Sequence, residues 1–209
     1  MDCANYLKKY KKMAKRWDII NEFIKKYEYK DYLEIGIASG ICRDNIIAPN
    51  KTTVDPDTRA NKPMHLMTSD DFFTKNKEKY DVIFIDGLHE APQVYKDILN
   101  SLECLKYGGT IFCHDMMPTK EEVQLVPRPL PLDVWTGDCW KAWAKLKGSR
   151  EDLEMFIIQD DWGVGVIRKG CQEIYPELDI PLTDINWAFY QEHKHKFGYI
   201  GGDIMLDRI

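Results

Sequence analysis

The 209-residue sequence predicts a doubly wound α/β sheet, and three observations carry that expectation. Short apolar runs at residues 32–37, 51–55, 64–67, 81–86 and 110–114 alternate with helical patterns at residues 41–47, 70–79 and 92–105. The runs at residues 82–85 and 111–113 are apolar on both faces, as strands at the buried centre of a parallel sheet are. Finally, residues 153–159 and 164–168 flank Asp160-Asp161-Trp162-Gly163, which reads as an antiparallel hairpin at the end of the sheet.

Taken in order, residues 1–30 form a helical segment. Tyr6, Leu7, Tyr10, Met13, Trp17, Ile20, Phe23, Ile24 and Tyr27 recur at helical steps, giving one apolar face. Residues 31–170 hold the strand–helix alternation. Pro92 at a first helical turn and Gly108-Gly109 after the last are start and stop signals for its longest helix. Residues 116–138 break the rhythm with Pro118, Pro127, Pro129 and Pro131. They predict an ordered loop over the carboxyl edge of the sheet, an active-site loop spanning residues 116–139. A helix around residues 138–147 follows, with Trp140, Trp143 and Leu146 on one side as core residues. Residues 171–209 are a C-terminal extension with one helix candidate near residues 183–195.

Composition narrows the function classes. Apolar residues at 44% and charged residues at 30% make a soluble globular mix. A net charge of −5 argues against broad nucleic-acid binding, which needs a basic footprint. Lys8, Lys9, Lys11, Lys12, Lys15 and Arg16 are a local exception, read as a solvated helix face. The six cysteines include no C-x-x-C pair. With no signal peptide and no membrane span in the sequence, a reducing, cytoplasmic location is expected.

The chemistry gathers at strand ends. Strand one, containing Glu34, runs into the turn Gly36-Ile37-Ala38-Ser39-Gly40, and Asp55 closes the second strand. In a βαβ nucleotide-binding unit an acid about 20 residues on meets the ribose hydroxyls. The turn reads E-x-G-x-x-x-G rather than G-x-G-x-x-G, so no phosphate cradle is evident. A nucleoside ligand without phosphates fits, and S-adenosylmethionine is the commonest such cofactor. Glu34, Gly36, Ala38, Ser39, Gly40 and Asp55 are its first expected contacts, with Glu34 reaching toward an ammonium group. Ser69 and Asp70 follow the third apolar run, where one of them would cap a helix and also face the cofactor. Asp86, Gly87 and His89 end the fourth strand, and His114 and Asp115 end the fifth, in the crevice where open α/β sheets bind ligands. Asp86, His114 and Asp115 would hold a divalent cation, with Mn²⁺, Fe²⁺ or Zn²⁺ favoured over Mg²⁺ by the imidazole; a metal-free His–Asp pair is the competing reading. Trp135 and Asp138 would line an acceptor cleft.

These segments resemble the class I S-adenosylmethionine-dependent methyltransferases, in particular the group labelled methyltransferase domain 24. The likeness runs through Leu33-Glu34-Ile35-Gly36 with Gly40, Phe84-Ile85-Asp86-Gly87-Leu88-His89, Gly108-Gly109 and His114-Asp115. It continues in Val126-Pro127-Arg128, the stretch from Gly137 to Trp143, and Asp161-Trp162-Gly163-Val164-Gly165-Val166-Ile167. It implies a Rossmann-like, seven-stranded, mostly parallel sheet with a C-terminal antiparallel hairpin. It also implies transfer of a methyl group to a carbohydrate hydroxyl in glycan biosynthesis. Some relatives that methylate sugars use a metal held by an Asp at the fourth strand and an Asp-Asp pair at the fifth; Asp86 and Asp115 match those positions, His114 replaces the first Asp of that pair, and Mn²⁺ or Mg²⁺ is the ion the resemblance leads one to expect here.

His89 or His114 would then be the general base and Asp115 its orienting partner. The competing readings are a non-catalytic cofactor-binding scaffold, which would bind without turnover, and an NAD-dependent oxidoreductase, which the missing glycine pattern disfavours. A nucleic-acid methyltransferase is disfavoured by the acidic balance. The expected partner is a small-molecule or glycan acceptor.

Overall fold

The structure, a computed structural model, describes residues 14–202. In chain order the elements are α1 (Arg16–Tyr27), β1 (Asp31–Ile35), α2 (Ile41–Asn45), β2 (Asn50–Val54), α3 (Ser69–Lys75), β3 (Tyr80–Ile85) and α4 (Ala91–Cys104). Then come β4 (Leu105–Cys113), α5 (Trp140–Ser149), β5 (Leu153–Ile158), β6 (Val164–Lys169), α6 (Trp187–His193) and β7 (Tyr199–Ile200). The seven strands form one sheet in the order β2-β1-β3-β4-β6-β5-β7. Strand β6 runs antiparallel to both β4 and β5, and the other pairings are parallel.

The period of two in a strand sorts side chains into two cores. Leu33, Ile35, Ile83, Ile85, Ile111 and Cys113 face α4 and α5, meeting Val94, Ile98, Trp140 and Trp143. Tyr32, Val82, Phe84 and Phe112 face the other way, onto Ile19, Ile20, Phe23 and Ile24 of α1. With helices on both faces, the central strands are buried throughout, which is why they read as unbroken apolar runs. Burying a large apolar side chain contributes about 1.5–3 kcal/mol each, so these two layers dominate the stability.

Several expectations need correction. Residues 64–67 are not a strand: only His65 bridges Val54, while Met64 and Leu66 are exposed. Pro63 lacks the N–H a ladder needs, and the Met64 N–H is taken by the Thr53 hydroxyl at 2.9 Å. The seventh strand comes instead from the tail, where β7 pairs with β5. Gly108 and Gly109 do not end a helix; they lie in an irregularity of β4, where a Cβ on Gly109 would come within 2.7 Å of the Asp81 carbonyl. Thr68, rather than Ser69 or Asp70, caps α3 by accepting the Asp71 N–H at 3.1 Å.

The flanking segments share the central cores. Leu178, Ile185 and Phe197 of the tail are buried with Trp140 and Trp143, and the Phe197 carbonyl accepts the Trp143 indole N–H at 3.0 Å. The basic run at Lys8, Lys9, Lys11 and Lys12 and the apolar positions Tyr6, Leu7, Tyr10 and Met13 lie outside the described residues. Among the described residues no helix is long and apolar enough to cross a membrane.

Candidate active site

The parallel strands deliver their carboxyl ends to one edge, and the turn after β1 is built first. Gly36 has φ +83°, and a Cβ there would collide with the Asp86 carbonyl and stand 2.6 Å from Gly87 Cα. Only glycine lets β1 and β3 close this tightly. Asp55 then fastens the turn: its carboxylate accepts the N–H groups of Ile37 at 2.9 Å, Ala38 at 3.1 Å and Asp57 at 2.8 Å. A carboxylate has about four acceptor positions, so holding the turn occupies most of Asp55. Glu34 is buried behind the turn, 1% exposed, and accepts the Tyr32 hydroxyl at 2.6 Å. Burial lifts its carboxyl from 4.5 to about 7.

The ends of β3 and β4 carry a denser cluster. His89 places Nε2 at 3.2 Å from Asp86 and Nδ1 at 3.0 Å from Asp115. His114 Nδ1 lies 3.3 Å from the same Asp86 oxygen and 3.2 Å from Asp115. Both His89 (φ +60°) and Asp115 (φ +62°) occupy the left-handed region, a conformation that costs about 1–3 kcal/mol and gathers at functional sites. His89 Nδ1 is buried without a hydrogen bond, close to Asp115 but off its donor axis. Burial alone would discharge the imidazoles, yet facing carboxylates outweigh it. His114 is raised well above its ordinary value by Asp86 and Asp115, and His89 is raised mainly through Asp86. Asp86, despite burial, is held well below the usual carboxylate range by His114 and His89.

The loop across the carboxyl edge locks this cluster. Trp135 stacks on His89 with centroids 5.3 Å apart and planes at 14°, while its indole N–H is donated to the Leu125 carbonyl at 2.7 Å. Gly137, at φ +60°, packs so closely on His89 that a Cβ would overlap the His89 carbonyl. Asp138 N–H is donated to that carbonyl at 3.2 Å, and its carboxylate accepts the Ala91 N–H at 2.6 Å. Asp138 therefore anchors the start of α4 and pairs with Lys141, rather than facing a cleft as expected.

One continuous cleft of about 1410 Å³ spans the turn and the cluster. That exceeds the roughly 300–1,000 Å³ of an ordinary small-molecule pocket, enough for a cofactor and an acceptor together. Glu34, Gly36, Ala38, Ser39, Asp55, Ser69, Asp70, Asp86, Gly87, His89, His114 and Asp115 all line it, as does Trp135. Gly40 does not; at φ +78° it shapes the start of α2. Three contributors escaped the sequence reading. Asp97 lines the cleft from α4 with burial lifting its carboxyl to about 6; its one signal is an acid on an inward-facing helix position. Arg16, read as solvated, is turned into the cluster, and Asp161, read as a turn residue and part of the family likeness but not as a site residue, receives it at 3.1 Å.

Among the described residues, Asp86, His114 and Asp115 each offer one ligand atom, all within 4.8 Å of one another. Two carboxylates and an imidazole fit Mn²⁺, Fe²⁺ or Zn²⁺ better than Mg²⁺.

No curated protein matches the chain. Residues 33–116 match the family described as Methyltransferase domain. Among solved structures, the S-adenosylhomocysteine-bound methyltransferase PaMTH1 of Podospora anserina is 17% identical, with a TM-score of 0.56 over 76% of this chain and 80% of that one. The O-methyltransferase TomG of Streptomyces achromogenes, in complex with S-adenosylmethionine, is 10% identical, with a TM-score of 0.55 over 74% of this chain and 79% of that one. An O-methyltransferase of Bacillus cereus, in complex with S-adenosylhomocysteine, is 13% identical, with a TM-score of 0.53 over 79% and 86%. At these identities the shared property is the fold.

Proposed function

We propose that this chain, which has the fold of solved methyltransferases and matches the Methyltransferase domain family over residues 33–116, moves a methyl group from S-adenosylmethionine to the hydroxyl oxygen of a carbohydrate. The observation that carries the reading is the acidic balance of the cleft lining, where Glu34, Asp57, Asp70, Asp86, Asp97, Asp115 and Asp133 outnumber the cations Lys15, Arg16 and Arg59, with Asp55 bound to the β1 turn. Such a wall repels a pyrophosphate, which counts against a nicotinamide dinucleotide, and attracts a ligand bearing a sulfonium and an ammonium group.

S-Adenosylmethionine supplies the activated methyl group, whose bond to sulfur breaks as the bond to oxygen forms. The protein's own work is positioning and proton transfer. Asp55 holds the β1 turn, and Glu34 offers a carboxylate to an ammonium group. His89 takes the hydroxyl proton, its ring held by the Trp135 stack with the Asp115 charge beside Nδ1. His114 is the poorer base because Asp86 and Asp115 raise it further above its ordinary value than His89 is raised. A divalent cation, where bound, would be held by Asp86, His114 and Asp115 and would acidify a coordinated hydroxyl. The indoles of Trp17, Trp135 and Trp162 line the same cleft. Aromatic faces beside carboxylates suit a ring with an apolar face and many hydroxyl donors.

Calorimetry with S-adenosylhomocysteine and with NAD, followed by a methyl-transfer assay over sugars, oligosaccharides and phenols, tests each layer. The expected result is S-adenosylhomocysteine binding, no NAD binding and methylated sugar. His89→Gln should lower turnover about 100-fold. NAD binding alone would refute the cofactor, binding without any turnover would favour a scaffold, and methylation confined to phenols would refute the acceptor.

A further inference from the structure

The acidic cluster already contains a cation. Arg16, the first residue of α1, sends its guanidinium to it: Nε lies 3.5 Å from Asp86 Oδ2, and Nη1 lies 3.1 Å from Asp161 Oδ2 and 3.4 Å from His114 Nε2. Two of the three groups able to ligate a metal, Asp86 and His114, are thus in contact with Arg16. The arginine is held from behind as well. Its backbone N–H is donated to Asp161 Oδ2 at 2.9 Å, and the neighbouring Lys15 Nζ reaches Asp161 Oδ1 at 3.4 Å. Asp161 is itself a constrained anchor, buried in the β5–β6 turn at φ +45° beside Trp162 at φ +66°. Arg16 Nε is buried and makes no hydrogen bond, so its tie to Asp86 is a charge contact rather than a donor–acceptor pair.

A guanidinium against Asp86 and a dication bound to the same carboxylate would be like charges a few ångströms apart in a partly dry cleft, and such neighbours oppose each other strongly. Arginine also keeps its proton at any working pH, so it cannot yield by deprotonation. We propose that Arg16 is a tethered cation that competes with a divalent ion for Asp86. The cluster of the intact chain is then satisfied internally, and a metal enters only as Arg16 withdraws. The inference concerns the cluster alone and stands or falls apart from the identity of the cofactor or acceptor.

Mn²⁺ binding to the full chain, followed by the paramagnetic resonance signal of the free ion with no cofactor present, tests it. Arg16→Gln should tighten Mn²⁺ binding at least about tenfold, whereas Lys15→Gln, which removes an equal charge that does not touch Asp86, should change it by less than about twofold. Asp161→Asn removes a negative charge, so general electrostatics predicts weaker binding; release of the Arg16 anchor predicts tighter binding. Equal affinity in wild type and Arg16→Gln, including no binding in either, overturns the proposal. So does Lys15→Gln tightening binding as much as Arg16→Gln. If circular dichroism shows Arg16→Gln unfolded, Asp161→Asn decides: tighter Mn²⁺ binding upholds the competition, and equal or weaker binding overturns it.

Discussion

Glu34 carries a charge–burial conflict that can be measured directly. It sits on β1, 1% exposed, with its carboxyl raised from 4.5 to about 7, mainly by burial, against which the Tyr32 hydroxyl at 2.6 Å and the charges of Arg16 and Arg43 compensate in part. Between those two values the unfolded chain has released its proton while the native chain retains it. Stability therefore falls as pH rises through that window, by about 1.4 kcal/mol per unit, or about 3 kcal/mol in all. Glu34→Gln keeps the volume and an oxygen to accept the tyrosine hydroxyl, but cannot ionise. Urea unfolding of both proteins from about pH 5 to about pH 8 should show wild type losing roughly 3 kcal/mol relative to the variant, with the loss complete just above pH 7. A ligand ammonium placed at Glu34 needs the carboxylate, so S-adenosylhomocysteine binding near pH 6.5 should release a proton in wild type but not in the variant. Calorimetry in buffers of different ionisation enthalpy reads that proton. Parallel pH slopes and no buffer dependence would refute both the buried charge and its assigned partner.

Two further outcomes follow from the geometry. Gly137→Ala forces a Cβ onto the His89 carbonyl at φ +60°. It should cost roughly 1–3 kcal/mol and lower turnover about 100-fold while S-adenosylhomocysteine affinity stays within about threefold, a split read by steady-state kinetics beside calorimetry. Asp55→Asn keeps one oxygen for the Ile37 and Ala38 N–H groups but turns an amide NH2 toward the Asp57 N–H, which needs an acceptor. It should cost about 2 kcal/mol or more by urea unfolding and weaken S-adenosylhomocysteine at least about tenfold, since the turn itself loosens.

The alternating architecture was written in local pattern. Runs such as Val82–Ile85 are apolar on both faces because helices cover both, and a strand buried on two sides has no other stable composition. Strand ends were equally legible, so Glu34, Asp86, His89, His114 and Asp115 could be named from the break between apolar run and polar turn. Residues 64–67 misled because a short apolar run bears no mark of whether a neighbouring strand is in reach. The tail's β7, two residues long, is too short for any periodicity and exists because β5 offers an open edge.

By itself the sequence determined the layers, the ligand edge and the residue types gathered there, since burial and strand period act over a few neighbouring positions. Tertiary structure alone decided how those groups are used. It turned Asp55 back onto the β1 turn, took Asp138 for the start of α4, and pressed Gly137 against His89. It also brought Arg16 across 145 positions of chain to Asp161. Charge contacts of that range depend on where the chain folds back, and a local pattern of residues contains no record of it.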